Sequence, residues 1–306
     1  EPDDLLDPDL DHDAVEGVEG EVEVTVGGFV VDRDTGIPDI EGTDGEPVDL
    51  DLLNGILSFT TVGDLAIEPS DTRPWVVEGL MPRGGSSLFS SSPKAGKSTT
   101  LRTLSFAVAR GVPFLGRATT RGSVMYLALE DHRELFKNAC MPAYQLYGPQ
   151  PIYCHVGPVY ENDCVEPILD QLEQAICILK PRLVIIDTVI KFQSIENTSD
   201  YSQVYTALSA LHTMARKLNT HICMAHHASK AGTVLGSMGF QGVVDSVVSI
   251  FRRPFSMRRL ISSEQRYGAP MTPTALYLDP KTQMVTHIQT EEIKAWEAQQ
   301  KAEAKA

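Results

Sequence analysis

The chain has 306 residues, of which 42% are hydrophobic and 22% are charged, and its formal net charge is −15 at pH 7. This is the composition of a globular protein with one large domain or two small ones. No uninterrupted apolar run approaches the roughly 18 to 20 residues that spanning a bilayer needs, so a membrane protein is not expected.

The cysteines and the first residues bear on the compartment. The visible sequence begins at Glu1 and shows no secretory signal pattern, so we expect no export. The five cysteines are odd in number and include no C-x-x-C pair, which argues against a disulfide framework and against a zinc ribbon. A reducing cytoplasm fits these features best.

Acidic residues are concentrated at the start of the chain. Residues 1–71 contain 22 Asp or Glu residues and the single basic residue Arg33, a net charge of −21, while the remainder carries +6. We call residues 1–51 the acidic arm. Two interpretations stay open for it: a solvated, disordered tail, or an arm that modulates how the basic body binds a polyanion. Within the arm, the alternation at residues 21–31, broken by a Gly-Gly pair, is compatible with a hairpin or with transient structure.

Residues 52–80 form a linker in which Trp75, Val76, Val77 and Leu80 are expected to pack on the following domain. That domain, residues 81–289, alternates short β-rich runs with longer helical patterns, as in a mostly parallel sheet covered by helices. Its predicted strands are residues 86–90, 123–130, 152–156, 183–187, 221–226 and 247–252. Its predicted helices, with apolar residues every three to four positions, are 97–110, 133–146, 165–179 and 201–218.

The helical pattern stops after residue 253. Three antiparallel strands are predicted beyond it, at residues 258–263, 274–278 and 284–287, with a turn at Asp279-Pro280. Residues 290–306 read as a frayed helical tail without an apolar stripe. The predicted fold class is therefore α/β, with a mostly parallel central sheet flanked by helices and C-terminal antiparallel strands.

The strongest motif is a phosphate-binding loop, or P-loop. It matches the pattern G-x-x-x-x-G-K-[ST] at all but its first position, where Ser91 replaces a glycine that normally gives the turn freedom. Because it follows a predicted strand and opens a predicted helix, backbone N–H groups and the helix N-terminus converge on phosphate oxygens. Lys97 is expected to reach the β- and γ-phosphates, and Ser98 to bind Mg²⁺. The predicted nucleotide-binding residues are Ser92, Pro93, Lys94, Ala95, Gly96, Lys97, Ser98 and Thr99.

A second metal ligand is predicted at the end of another buried strand. The apolar run Leu183-Val184-Ile185-Ile186 ends in Asp187, which fits the Walker-B carboxylate that orients Mg²⁺ through water. Taken alone, such an Asp more often caps the next helix. The P-loop some 90 residues upstream favours the metal-binding interpretation.

Hydrolysis also needs a group that orients the attacking water. Glu130 closes the first strand after the P-loop helix, and the carboxyl ends of parallel strands meet at one ligand crevice. Glu130 is therefore the predicted catalytic base. The neighbouring Asp131 is a weaker alternative that is also placed to cap the following helix.

A histidine pair ends a further predicted strand. Either His226 or His227 is placed to contact the γ-phosphate and report its loss, because neutral imidazole both donates and accepts a hydrogen bond. The alternative is an ordinary surface pair. Metal binding by both is not expected, since adjacent residues on a strand point to opposite faces.

Arginines cluster beyond the catalytic half of the domain, at Arg252, Arg253, Arg258, Arg259 and Arg266. An arginine supplied by a neighbouring subunit can stabilise the charge of the transition state, and Arg253 and Arg266 are the two candidates for this role. Surface solubility is the alternative explanation of the cluster.

Together these motifs resemble the RepA-like branch of the RecA-type P-loop ATPases, which includes the hexameric replicative helicases of plasmids and phages. The resemblance covers residues 61–285. It rests on the P-loop residues Pro93-Lys94-Ala95-Gly96-Lys97-Ser98, on Tyr126-Leu127-Ala128-Leu129-Glu130-Asp131, on Val184-Ile185-Ile186-Asp187-Thr188, and on His226-His227 with Lys230 and Gly236-Ser237.

The resemblance implies ATP and Mg²⁺ as cofactors, a catalytic Glu130, a sensor in the histidine pair, and a homo-oligomeric ring with active sites between subunits. It also implies that the loops at residues 191–200 and 229–240 face a channel for single-stranded DNA. Lys191 and Lys230 would supply charge there and Phe192 a stacking surface, a sparse set for a DNA channel.

The leading hypothesis is an oligomeric ATPase that moves along single-stranded DNA as a replicative or mobile-element helicase, with a primase or other replication protein as a further partner. Two alternatives stay open. One is an ATP-gated assembly or recruitment module that unwinds nothing, and the other is a recombinase-like ATPase that forms filaments.

Overall fold

The computed structural model describes two units of the chain, residues 1–71 and residues 72–306. The described residues are 24–26, 29–31, 60, 62–69, 74–158, 168–193, 195, 197, 200–227, 242–252 and 259–288. In the first unit, strands Val24–Val26 (β1) and Phe29–Val31 (β2) pair antiparallel, which is the hairpin interpretation of this segment. Helix Val62–Ile67 (α1) follows. The rest of the acidic arm lies outside the described residues.

The second unit is built from alternating strands and helices. A short ribbon, Trp75–Val77 (β3) and Met81–Pro82 (β4), comes first. The parallel strands are Ser86–Ser91 (β5), Val124–Ala128 (β6), Ile152–Val156 (β7), Leu183–Asp187 (β8), His221–His227 (β9) and Ser246–Arg252 (β10). The helices are Lys97–Arg110 (α2), Arg133–Tyr147 (α3), Ile168–Leu179 (α4), Val189–Gln193 (α5) and Tyr201–Lys217 (α6). The last strands are Arg259–Gln265 (β11), Thr274–Leu278 (β12) and Val285–Ile288 (β13).

These strands form one nine-stranded sheet in the order β13-β12-β11-β10-β5-β9-β8-β6-β7. Strands β5 to β10 are mutually parallel, whereas β11, β12 and β13 are antiparallel additions beside β10. The predicted fold class is therefore confirmed. None of the helices in the described ranges is long and apolar enough to cross a membrane.

Helices cover both faces of the sheet. Side chains alternate between the two faces along each strand, so strands with continuous apolar residues present an apolar surface on both sides. One face packs against α2 and α3 and includes Tyr126, Ile185 and Ala225. The other face packs against α4, α5 and α6 and includes Leu127, Ile186 and Met224. Strands buried on both faces read as continuous apolar runs, which is why they were visible in the sequence.

The residues just before β5 pack on the domain. Val76, Val77 and Leu80 are fully buried in the core on the α2 face, while Trp75 is partly exposed. The C-terminal tail predicted at residues 290–306 lies outside the described residues. The four described cysteines, Cys140, Cys154, Cys177 and Cys223, are free thiols.

A buried histidine at the start of β9 makes stability sensitive to acid. His221 is fully buried, and its Nδ1 lies 2.8 Å from the Pro82 carbonyl oxygen and its Nε2 2.9 Å from Ser87 Oγ. The carbonyl only accepts, so Nδ1 carries the proton and Nε2 accepts from the hydroxyl. Burial lowers the pKa of His221 to about 4 from its ordinary 6.5.

We therefore expect the free energy of unfolding to fall as the pH drops from about 6.5 towards 4. In this window the unfolded chain binds a proton at His221 that the folded chain does not, and stability is lost by on the order of 3 kcal/mol. Urea unfolding between pH 7.5 and 4.5 measures it. His221→Asn keeps a donor for the Pro82 carbonyl but cannot titrate, so its stability should fall less steeply over the same range. Parallel curves for the two proteins would rule out His221 as the source.

Candidate active site

Four side chains meet at one edge of the sheet because they lie on the same face of it. Each is an even number of positions from a strand residue that belongs to that face. Tyr126 and Glu130 each lie two positions from Ala128, Asp187 lies two after Ile185, and His227 lies two after Ala225. These positions all belong to the α2 face of the sheet. Since β5, β9, β8 and β6 are adjacent and parallel, their carboxyl ends lie side by side at the N-terminus of α2.

The P-loop connects β5 to α2. Gly96 has a left-handed backbone (φ 100°) and is the N-cap of α2, with no side-chain capping hydrogen bond. The helical hydrogen bonds begin with the Thr100 N–H, which donates to the Gly96 carbonyl at 2.9 Å. The N–H groups that come before it in the first turn have no acceptor within the helix. Such unpaired N–H groups at a helix N-terminus form an anion site.

Ser91 does not disturb the loop. It is the last residue of β5, is 2% exposed, and is not among the described non-glycine residues with positive φ. The turn that requires positive φ falls instead on Lys94 (φ 63°) and Gly96. Serine at the first position of the motif is therefore compatible with the P-loop conformation.

The loop borders a cavity of about 370 Å³. Its lining residues are Ser91, Ser92, Pro93, Lys94, Gly96, Lys97, Ser98, Thr99, Glu130, His227 and Arg259. Of the predicted nucleotide-binding residues, Ala95 does not line the cavity but is buried in the core beneath the loop.

Lys97, which lines the cavity, forms a buried ion pair with Asp187. Lys97 Nζ lies 2.6 Å from Asp187 Oδ1, and both side chains are almost fully buried. The other carboxylate oxygen, Oδ2, accepts a hydrogen bond of 3.2 Å from the Tyr126 hydroxyl. Burial, reinforced by the Asp187 charge, raises the pKa of Tyr126 well above 10, so the phenol stays protonated and donates.

Glu130 is held by two neighbours. Its Oε1 accepts a 2.8 Å hydrogen bond from the Thr188 hydroxyl, and its Oε2 lies 3.6 Å from His227 Nε2. The nearby His227 imidazole and the hydrogen bond from Thr188 lower the pKa of Glu130 to about 2, although partial burial opposes the shift. The carboxylate is therefore ionised at any ordinary pH and acts as an acceptor.

The two histidines of the pair point to opposite faces, as expected. His227 faces Glu130 and the cavity, whereas His226 is fully buried on the other face with Met224. Only His227 is therefore placed to contact a ligand in the P-loop. The structure thus distinguishes two residues that the sequence left equivalent.

Asp131 does not take over either role that the sequence left open for it. The N-cap of α3 is His132 rather than Asp131, and Asp131 does not line the P-loop cavity. Burial, with repulsion from Asp187, raises the pKa of Asp131. Glu130 is the acid that reaches the cavity.

Of the two predicted arginine candidates, the structure describes only Arg266. Arg253 lies outside the described residues. The backbone N–H of Arg266 donates to the Asp245 carbonyl at 2.7 Å, next to the first residue of β10, so Arg266 lies at the opposite edge of the sheet from the P-loop. Arg266 cannot serve the active site of its own subunit, and its role in a neighbouring one stays a prediction.

Sequence reasoning missed three side chains that the structure brings to the site. Thr188 and Tyr126 hold the carboxylates of Glu130 and Asp187. Arg259, at the start of β11, lines the P-loop cavity. The alternation of side chains along neighbouring parallel strands could have predicted that Tyr126 and Asp187 lie on the same face. The position of Arg259 depends on the order of strands in the sheet, which the sequence does not give.

The structure also changes the expected DNA-contacting residues. Lys191 is exposed on α5, but Phe192, predicted as a stacking surface, is 1% exposed because α5 turns it into the core on the α6 face. Lys230 lies outside the described residues. An exposed aromatic pair stands nearby in the chain instead: the rings of Tyr201 and Tyr205 stack with centroids 5.6 Å apart.

The residues present fit a Mg²⁺-bound nucleoside triphosphate. The α2 N-terminus and the amine of Lys97 supply positive charge for phosphates. The Ser98 hydroxyl on the cavity wall and the Asp187 carboxylate beside it are oxygen donors of the type that Mg²⁺ prefers. The cavity volume is also within the range of small-molecule sites.

Comparison with known proteins supports this assignment at the level of a family. The sequence model of a family described as an AAA domain matches residues 55–233, more than half of the chain. No curated protein matches the sequence. Among solved structures, a KaiC-like protein from the hyperthermophilic archaeon Pyrococcus horikoshii OT3 is similar, with a TM-score of 0.48 and 13% identity over 70% of this chain and 94% of that chain.

Proposed function

The chain belongs to the AAA domain family of RecA-like P-loop ATPases, and from that premise we propose that it hydrolyses ATP with Mg²⁺ at the Lys97 loop. The observation that carries the proposal is that Lys97 and Glu130 line one cavity at the N-terminus of α2, with Asp187 paired to Lys97. These are the three groups that phosphoryl transfer to water requires: a phosphate cation, a metal carboxylate and an acceptor for the attacking water.

Some residues of the site are proposed to bind the nucleotide and others to act in the reaction. With ATP bound, Lys97 would leave Asp187 for the β- and γ-phosphates, and the freed carboxylate, still held by Tyr126, would hold Mg²⁺ together with Ser98. Bound Mg²⁺ supplies charge neutralisation at the phosphates. Glu130, fixed by Thr188, accepts a hydrogen bond from the attacking water, and His227 links that carboxylate to the end of β9.

ATP hydrolysis by purified protein, with and without a chelator of Mg²⁺, tests this proposal. We expect turnover that requires the metal and is restored when Mg²⁺ is added back. Turnover that is indifferent to the chelator would contradict the roles given to Asp187 and Ser98, and absence of turnover under any condition would contradict the proposal as a whole.

We further propose that the protein is a DNA motor of the RepA-like type, working as a ring of identical subunits with Arg253 or Arg266 completing a neighbour's site. The support from the structure is the pair Tyr201 and Tyr205 on the first turns of α6, with 53% and 45% of their surface exposed. Because β8 ends at the P-loop edge and α6 returns to the start of β9, this pair lies at the same edge of the sheet as the nucleotide cavity.

Exposed, mutually stacked rings suit the bases of a single strand, since every base presents a flat face to an aromatic ring. The position would also allow such contacts to influence the active site, because α5 follows Asp187 and Thr188 directly in the chain and α6 is the next helix. Single-stranded DNA bound at Tyr201 and Tyr205 would in this way affect the chain segment that follows Asp187, the proposed ligand of Mg²⁺.

Replacing both Tyr201 and Tyr205 by Ala is expected to weaken binding of a labelled oligothymidylate about tenfold or more, measured by fluorescence anisotropy at fixed salt. Tyr144→Ala is the matched control, because Tyr144 is also 47% exposed on a helix, α3, but near the end that faces away from the P-loop edge. Equal weakening by both changes, or none by the double variant, would remove the tyrosines from the proposed DNA path.

A further inference from the structure

Arg259 stands at the P-loop edge of the sheet although it belongs to the antiparallel extension. In the ladder between β10 and β11 it pairs with Arg252, and in the ladder between β10 and β5 Ile250 pairs with Ser91. The first residue of β11 therefore lies just beyond the residue that begins the P-loop. The strand runs away from this edge and ends roughly 20 Å from it, as expected for seven extended residues.

The side chain of Arg259 lies against the loop itself. A Cβ atom added to Gly96 would stand 3.1 Å from Arg259 Cδ and 3.2 Å from its Nε, which shows how closely the Arg259 side chain approaches the loop. Arg259 Nη2 is 3.5 Å from the Lys94 carbonyl oxygen. Arg259 thus contacts both P-loop positions that have a left-handed backbone.

The hydrogen-bonding capacity of this guanidinium is largely unused. A guanidinium has five N–H donors, and the bond to Lys94 is long. Arg259 Nε is shielded from solvent and has no hydrogen-bond partner among the described residues. An unsatisfied charged donor at the wall of a cavity favours an acceptor that enters the cavity.

Arg259 also differs from Lys97 in lacking an acidic partner among the described residues. Lys97 is paired with Asp187, and Glu130 lies against His227. No described carboxylate forms an ion pair with Arg259. An arriving phosphate therefore meets this cation without first breaking a salt bridge, whereas Lys97 must leave Asp187.

We propose that Arg259 is a phosphate-binding residue of its own subunit's active site, contacting the terminal phosphate of a bound nucleoside triphosphate. The proposal rests on the function proposed above and adds a cation in cis from the antiparallel extension. On binding, the guanidinium turns from the Lys94 carbonyl to the phosphate oxygens, where planar geometry permits two parallel hydrogen bonds. The terminal phosphate is the target because Arg259 shares its cavity with Glu130, which acts at that group.

The test compares nucleotide affinities by titration calorimetry for the full chain, using a slowly hydrolysed ATP analogue and ADP. Arg259→Ala and Arg259→Gln are expected to weaken binding of the triphosphate analogue about tenfold or more and that of ADP less than about threefold. Arg259→Lys should recover part of the loss, because it restores the charge without the fork. Arg121→Ala, an exposed arginine preceding β6 at the opposite edge, is the matched control and should bind like the wild type.

The outcomes distinguish the role proposed for Arg259 from the proposal that the protein binds and hydrolyses ATP. If the wild type binds the triphosphate analogue and Arg259→Ala binds it equally well, only the role proposed for Arg259 is overturned. Equal weakening of triphosphate and diphosphate would also overturn it, since a residue that merely supports the loop affects both ligands alike. A wild-type protein that binds neither nucleotide would overturn both proposals.

Discussion

Replacing Lys97 by Ala is expected to weaken ATP binding by about 10²-fold or more, because two effects act in the same direction. The variant loses a charge-assisted contact to the phosphates, and it leaves the Asp187 carboxylate, now without its 2.6 Å partner, to repel them. Binding of a fluorescent ATP analogue to the purified variant measures the change.

The same substitution should also lower stability. Both members of the Lys97–Asp187 pair are almost fully buried, and removing one member leaves an uncompensated charge that costs on the order of 3 kcal/mol. Lys97→Ala combined with Asp187→Asn removes that charge and should regain stability without regaining ATP binding. Lys137→Ala is the control, since Lys137 is an exposed lysine of α3 that does not line the cavity. Nucleotide affinity retained in Lys97→Ala would contradict the site.

Replacing Glu130 by Gln is expected to lower the rate of ATP turnover about 10²- to 10⁴-fold while nucleotide binding is kept. Glutamine still accepts the hydrogen bond from Thr188, but it lacks the charge that attracts and orients the attacking water. Single-turnover hydrolysis and analogue binding, measured on the same preparation, separate the two steps.

The control for this change is Glu134→Gln, which removes a carboxylate four residues further on. Glu134 lies in the first turn of α3, is exposed and contacts only Lys137 among its described partners. Turnover should be unaffected. A Glu130→Gln protein that hydrolyses ATP at the wild-type rate would require another base, and Asp131, which does not line the cavity, is not placed to be one.

The parts of this site that were predictable from the sequence are those fixed by local pattern. Lys97 and Ser98 follow from a motif whose geometry lies within eight residues, and Asp187, Glu130 and His227 follow from ends of apolar runs that a parallel sheet brings together. Alternation along the strands then determines which of two neighbours faces the ligand, as His227 and His226 illustrate.

The missed parts depend on contacts that sequence pattern does not encode. Arg259 reaches Lys94 across 165 residues because β11 pairs beside β10, and strand order is decided by tertiary packing. Phe192 was misassigned because α5 has only five residues, too few for a helical period to distinguish its buried side from its exposed one. The tyrosine pair escaped notice because spacing alone does not tell an exposed pair from a packed one.

ATP hydrolysis by the purified protein, measured with and without single-stranded DNA and alongside Glu130→Gln, tests the central claim most directly. We expect metal-dependent turnover that DNA stimulates and that the Glu130→Gln change lowers about 10²- to 10⁴-fold in both conditions. A rate sensitive to Glu130 but indifferent to DNA would contradict the motor and point to an ATP-gated assembly switch built on the same site.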